Sequence, residues 1–139
     1  MFNDITGENV KIKTIRQSIL FKASPHDVYE ALMDSRRHAA FTESKARISR
    51  KVGGKISAYD GYIDGKNLQL VKDKKIVQSW HSSEWPDGHY STAVFSLKKV
   101  KGGTRLTFVQ TGVPIEHYNA INKGWHEHYW ERMKKMFEK

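Results

Sequence analysis

Residues 61–70 (GYIDGKNLQL), 74–92 (KKIVQSWHSSEWPDGHYST) and 102–114 (GGTRLTFVQTGVP) decide the fold. Together they read as four successive strands, because short runs of alternating character are divided by residues suited to tight turns. Tyr62, Trp80, Trp85 and Tyr90, with Gly61, Gly88, Gly112, Gln110 and Pro114, recur at turns and strand ends. Large aromatics at such places imply a curved antiparallel sheet with an apolar concavity.

Working outward, turn signals recur from Ala46 onward at Gly53-Gly54, Asp60-Gly61, Asp64-Gly65, Asp73-Lys74, Pro86-Asp87-Gly88 and Gly102-Gly103. Asp64-Gly65 admits a second reading as a bulge, with one strand continuing through Leu70. Upstream, Ile12, Thr14, Arg16 and Ser18 alternate with Ile15, Gln17, Ile19 and Phe21, which predicts a long first strand. Ser24-Pro25-His26-Asp27 then starts a helix: Ser24 caps, Pro25 suits the first turn and Asp27 is placed to close a capping box. The DSRRH stretch stops it before a second short helical turn around His38 to Phe41. Downstream of Pro114, Tyr118, Ile121, Asn122, Trp125, Tyr129, Met133 and Met136 recur every three or four residues and predict a long amphipathic helix. Periodicity alone thus supports an α+β sandwich of sheet and helix.

A chain of 139 residues with 38% hydrophobic content suffices for one core, so residues 1–139 are read as one domain. The absence of cysteine removes disulfides, a thiolate nucleophile and cysteine-bound zinc. The polar opening MFNDITGENVKIK is not a signal peptide, and no apolar run approaches the roughly 20 residues of a membrane span. A cytoplasmic protein is expected. The net charge of +9 invites nucleic acid or an acidic partner. The lysines and arginines nevertheless fall in short groups at turns and strand edges, where they guard the sheet against pairing, and no nucleic-acid motif is present.

The element order, with GGKISAYDGYIDGKNLQL, IVQSWHSSEWPDGHYS, GGTRLTFVQTGVP and GWHEHYW, resembles the C-terminal domain of activators of the heat-shock protein 90 ATPase. Those proteins belong to the START-like, helix-grip superfamily, also called SRPBCC. The resemblance runs from about Ser18 to Phe137. It implies a helix-grip fold: a curved antiparallel sheet wrapped around a long C-terminal helix, one or two short helices after the first strand, and a cavity between sheet and helix. The family's tryptophan followed by a basic residue stands here as Trp80-His81. Eukaryotic activators carry a separate N-terminal domain that makes much of the chaperone contact, and 139 residues leave no room for it, so ligand binding is ranked above chaperone stimulation.

The first functional reading is a non-enzymatic, stress-related binding protein whose cavity holds a small hydrophobic molecule. Trp80, Trp85, Tyr90, Trp125 and Tyr129 would surround the cavity, with Phe41 and Tyr62 at its mouth. Trp85, beside the Pro86-Asp87-Gly88 turn, is expected to be exposed as a partner contact. Ordinary core packing explains the same aromatics without any ligand. The alternative is a co-chaperone stimulating a heat-shock protein 90 type ATPase. A further alternative is a cyclase or hydratase using His81, Tyr90, Arg105 and Gln110 for acid–base work; no catalytic residue is assigned. His81 and His89 bracket Ser82, Ser83 and Glu84, but neither a nucleophile elbow nor an oxyanion hole accompanies them. His126 and His128 point about 200° apart on a regular helix, so no metal site and no cofactor are expected.

Overall fold

The computed structural model describes residues 10–138; the polar segment 1–9, which carries most of the stretch read above as no signal peptide, lies outside them. Strand β1 (Ile12–Phe21) is followed by helices α1 (Pro25–Met33) and α2 (Ser35–Thr42), then by β2 (Arg47–Ile48), β3 (Lys55–Ala58), β4 (Ile63–Val71), β5 (Lys75–Ser82), β6 (Ser91–Val100) and β7 (Gly103–Pro114). A single 3-10 turn at Ile115–His117 leads into the terminal helix, composed of α3 (Tyr118–Gly124), a wider π turn (Trp125–Trp130) and α4 (Glu131–Phe137).

All seven strands form one antiparallel sheet in the order β1-β7-β6-β5-β4-β3-β2. The first strand therefore lies beside the last. Alternation puts Ile76, Gln78 and Trp80 of β5, Ala93 and Phe95 of β6, and Leu106, Phe108 and Gln110 of β7 on the concave face. The terminal helix lies in that concavity. No helix among the described residues is long and apolar enough to cross a membrane.

Local chemistry accounts for the punctuation. Ser24 Oγ accepts the Asp27 amide at 3.1 Å, a cap worth about 1 kcal/mol. Asp27 does not return the bond as a capping box would; its carboxylate sits 3.7 Å from Arg37 instead. Asp34 ends α1 in an extended conformation, and its carboxylate accepts the amides of Arg36 and Arg37 at 2.9 and 3.1 Å. The same residue thus stops one helix and starts the next, so α2 begins three residues before the expected His38. In β4 the irregularity falls between Asn67 and Gln69, not at Gly65. Gly65 is required there for a different reason: a Cβ at that position would collide with the backbone carbonyl of Ser79 on β5.

The terminal helix departs from the regular α-helix expected of it. Trp125 and Trp130 would point about 140° apart on an α-helix. Widening the turn by one residue returns both to one face, where the two indoles stack with centroids 5.5 Å apart at 19°. Trp130 is completely buried, packed edge-on against Phe21 and Phe108. A period of three or four passes it over.

Candidate functional site

Three of the four tryptophans are anchored by glutamines that point inward from the sheet. Trp125 Nε1–H donates to Gln110 Oε1 at 2.8 Å, Trp80 Nε1–H to Gln78 Oε1 at 2.9 Å, and Trp130 Nε1–H to Gln17 Oε1 at 2.6 Å. Each glutamine uses its own NH2 group elsewhere. Gln110 donates to Ser91 Oγ, Gln78 to Asn67 Oδ1, and Gln17 to the carbonyl and side chain of Asn122 at the end of β1's reach. A buried amide left without partners would cost about 1–3 kcal/mol. Among the described residues, no buried side-chain nitrogen or oxygen is left so.

The helix is clasped from the other side by His38 on α2. The Leu32 carbonyl 3.1 Å from Nδ1 can only accept, so Nδ1 carries the proton and Nε2 accepts the Tyr129 hydroxyl at 2.8 Å. Burial pushes the His38 imidazole down to about 4 and the Tyr129 phenol well above its ordinary 10. Both groups are therefore neutral structural partners. Neither was singled out for this role by the sequence, since a histidine in DSRRH reads as polar surface.

Between this anchored portion and the sheet's far end the helix stands away. No residue of α3 is buried, whereas Trp125, Tyr129, Trp130 and Met133 farther along are. Under α3 lies a cavity of about 490 Å³. Its walls carry the aromatic rings of Tyr59, Tyr62, Trp80, Trp85, Trp125 and Tyr129, and its rim carries Glu84 and Glu127. Tyr59 reaches the His128 carbonyl at 3.2 Å, and burial raises its phenol to about 12. The Tyr62 phenol is also raised, chiefly by burial, with Ser82 and Glu84 beside its hydroxyl.

The β5–β6 loop that closes one side is held by two histidines. His81 Nδ1–H donates to the His89 carbonyl and His89 Nε2–H to the Gly112 carbonyl, each at 2.7 Å. Their rings also flank Trp85, at 6.1 and 5.9 Å. Among the described residues, neither imidazole is hydrogen-bonded to Ser82 or Ser83.

Of the expected cavity residues, Tyr62, Trp80, Trp125 and Tyr129 come together around this space, and two do not. Phe41 is 6% exposed and lies behind Tyr129, because α2 packs on the terminal helix and holds Phe41 between His38 and Tyr129 at 5.1 and 5.4 Å. Tyr90 is 47% exposed on the convex side against His81, since Ser91 faces inward and its neighbour must face outward. Trp85 stands in the cavity wall as its place in the aromatic set implies, but at 5% exposure it is not the exposed partner contact expected of it. Among the acid–base candidates only Gln110 reaches the cavity; Arg105 sits on the outer face near Ser18. Tyr59 was missed as a wall residue: it precedes a turn and adopts positive φ (51°), which alternation does not describe. No cluster of three His, Asp or Glu side chains suited to a metal ion occurs among the described residues.

A curved sheet gripping a terminal helix over such a cavity defines a START-like, helix-grip protein. Solved structures agree on the fold: an HSP90 activator from Plasmodium falciparum superposes with a TM-score of 0.83 at 23% identity, covering 88% of this chain and 94% of that one. The Aha1 dimer from Colwellia psychrerythraea, solved in solution, gives 0.78 at 20% identity over 91% and 96% of the two chains. The family profile described as "Activator of Hsp90 ATPase homolog 1-like protein" matches residues 22–138, and the chain belongs to that family. Its relatives include the Dictyostelium discoideum activator of 90 kDa heat shock protein ATPase homolog, 34% identical over 99% of this chain. Human activator of 90 kDa heat shock protein ATPase homolog 1 is 31% identical over 92% of it. The chain spans 36% and 38% of the length of those two proteins.

Proposed function

We propose that this chain is a co-chaperone module that binds a heat-shock protein 90 type ATPase. The observation that carries this reading is the family match across residues 22–138, with relatives bearing that activity in their names. The charge distribution fits an acidic partner. Lys22, Lys72, Lys74, Lys98, Lys99 and Lys101 are all exposed at one end of the sheet, where the β4–β5 and β6–β7 turns meet the end of β1. The nearby Asp73, 3.0 Å from His26, supplies one negative charge against these six positive ones. A single-sign patch of this kind accelerates association with an acidic surface, and salt screens it.

Titrating this protein into a purified heat-shock protein 90 type chaperone, with binding and ATP turnover followed together, tests the reading. Binding is expected to weaken as ionic strength rises. The combined Lys72→Glu, Lys74→Glu, Lys99→Glu and Lys101→Glu variant is expected to lose about tenfold or more in affinity while remaining folded. No binding at low salt, or binding indifferent to both salt and charge reversal, would reject it.

A second reading is favoured by the cavity itself. About 490 Å³ lined by aromatic rings, with a few polar tips, suits a small molecule with an apolar body. The two readings involve opposite ends of the sheet and are compatible in one molecule.

A further inference from the structure

We infer that the cavity under α3 selects an organic cation: an amine or quaternary ammonium group carried on an apolar, ring-sized body. The inference rests on the second reading above, that the cavity holds a ligand, and adds its charge. The sequence has 24 lysines and arginines against 15 aspartates and glutamates, yet no lysine or arginine lines this cavity. Its acidic wall groups are Glu84 and Glu127, and its other titratable side chains are Tyr59, Tyr62, Tyr129 and the imidazoles of His117 and His128. In a chain of net charge +9, a cavity lined by two carboxylates and no lysine or arginine favours a positive over a negative ligand, even with Lys123 and Arg132 close by.

The walls contribute in the same direction. Aromatic faces present the negative lobe of their quadrupole, and a cation within about 6 Å of several rings gains from each. Tyr62 and Tyr59 stand nearer solvent than the buried Trp80, Trp85 and Trp125, so an apolar body would enter first and leave its charged group near the exposed Glu84. Glu127 shares its charge with Lys123 across 3.7 Å in an exposed pair. Glu84 has no cation within ion-pair distance among the described residues, which makes it the principal carboxylate of the rim. The loop bearing Glu84 and Trp85 is pinned by the His81 and His89 bonds, so the carboxylate is offered from a fixed frame.

Three probes with one naphthalene body test the inference: 2-(1-naphthyl)ethylammonium, 2-(1-naphthyl)ethanol and 1-naphthylacetate. Binding is read from the indole N–H resonances of Trp80 and Trp125 in two-dimensional NMR of the whole chain. The ammonium is expected to bind about tenfold more tightly than the alcohol, and the carboxylate most weakly. Glu84→Gln is expected to remove most of that ratio while leaving alcohol binding unchanged; Glu127→Gln removes less. Alcohol binding as tight as ammonium binding, or a preference that survives Glu84→Gln together with Glu127→Gln, overturns the inference and leaves the ligand reading standing. Failure of all three probes to shift those resonances overturns both.

Discussion

The two ends of the terminal helix grip the same sheet in opposite ways. Toward the C-terminus, Trp130 and Met133 are fully buried against Phe21 and its neighbours, and α2 closes over them. Toward the N-terminus, α3 has no fully buried residue: Tyr118 and Ile121 are only partly covered, and polar and cation–π contacts tether its margin, Gln17 to Asn122 and Lys13 lying 4.2 Å over the Tyr118 ring. Stability is concentrated at one end and unfilled space at the other. Six exposed lysines cluster at the closed end, while the open one carries Glu84 and Glu127 together with Lys13 and Lys123.

The contrast is broken if truncation costs the same at both ends. Trp130→Ala at the closed end is expected to cost about 3–5 kcal/mol by urea denaturation, the range for a fully buried aromatic. A loss below about 1 kcal/mol would mean the packed end does not hold the fold.

The His38–Tyr129 clasp sits at the boundary and sharpens the comparison through pH. The folded imidazole is held at about 4 against an ordinary 6.5, so between those values the unfolded chain binds more protons. Stability is therefore complete above about pH 6.5 and falls as pH drops toward 4, by about 3 kcal/mol. Denaturation midpoints measured across that window are expected to show a clearly shallower slope in His38→Gln. Equal slopes in the two proteins would remove His38 as the cause.

The smallest effect is expected at the open end. Ile121 is half-buried on α3 and borders the cavity, so Ile121→Ala is expected to cost about 1 kcal/mol or less while changing probe affinity. A loss approaching that of Trp130→Ala would show that α3 is as tightly packed as α4.

The division was only half legible in the sequence. Turn residues and alternation located β4 to β7, because period two and turn chemistry are local properties of the chain. The Ser24 cap and the restart of helix near DSRRH were legible for the same reason. Trp130 was not, since the widened turn that aligns it with Trp125 is imposed by packing against Phe21 and Phe108. Nor were the placement of Phe41 and the burial of Trp85. Their orientation depends on how α2 and the β5–β6 loop fold back, a tertiary outcome that spacing does not encode. One signal was available and went unused: Gln17, Gln78 and Gln110 all stand at inward positions of their strands, where a buried amide needs a donor and tryptophan can supply one.

The strand order also carries a consequence for biosynthesis. β1 pairs from Ile12 with Pro114 to Phe21 with Thr104, so among the described residues its sheet partner is β7, the last of the seven strands in chain order. Neighbours in the meander from β2 to β6 can zip as they emerge, but β1 must wait until β7 has been made with Ile15, Ile19 and Phe21 uncovered. The growing chain is thus exposed to unwanted association until β7 appears and closes the sheet on β1.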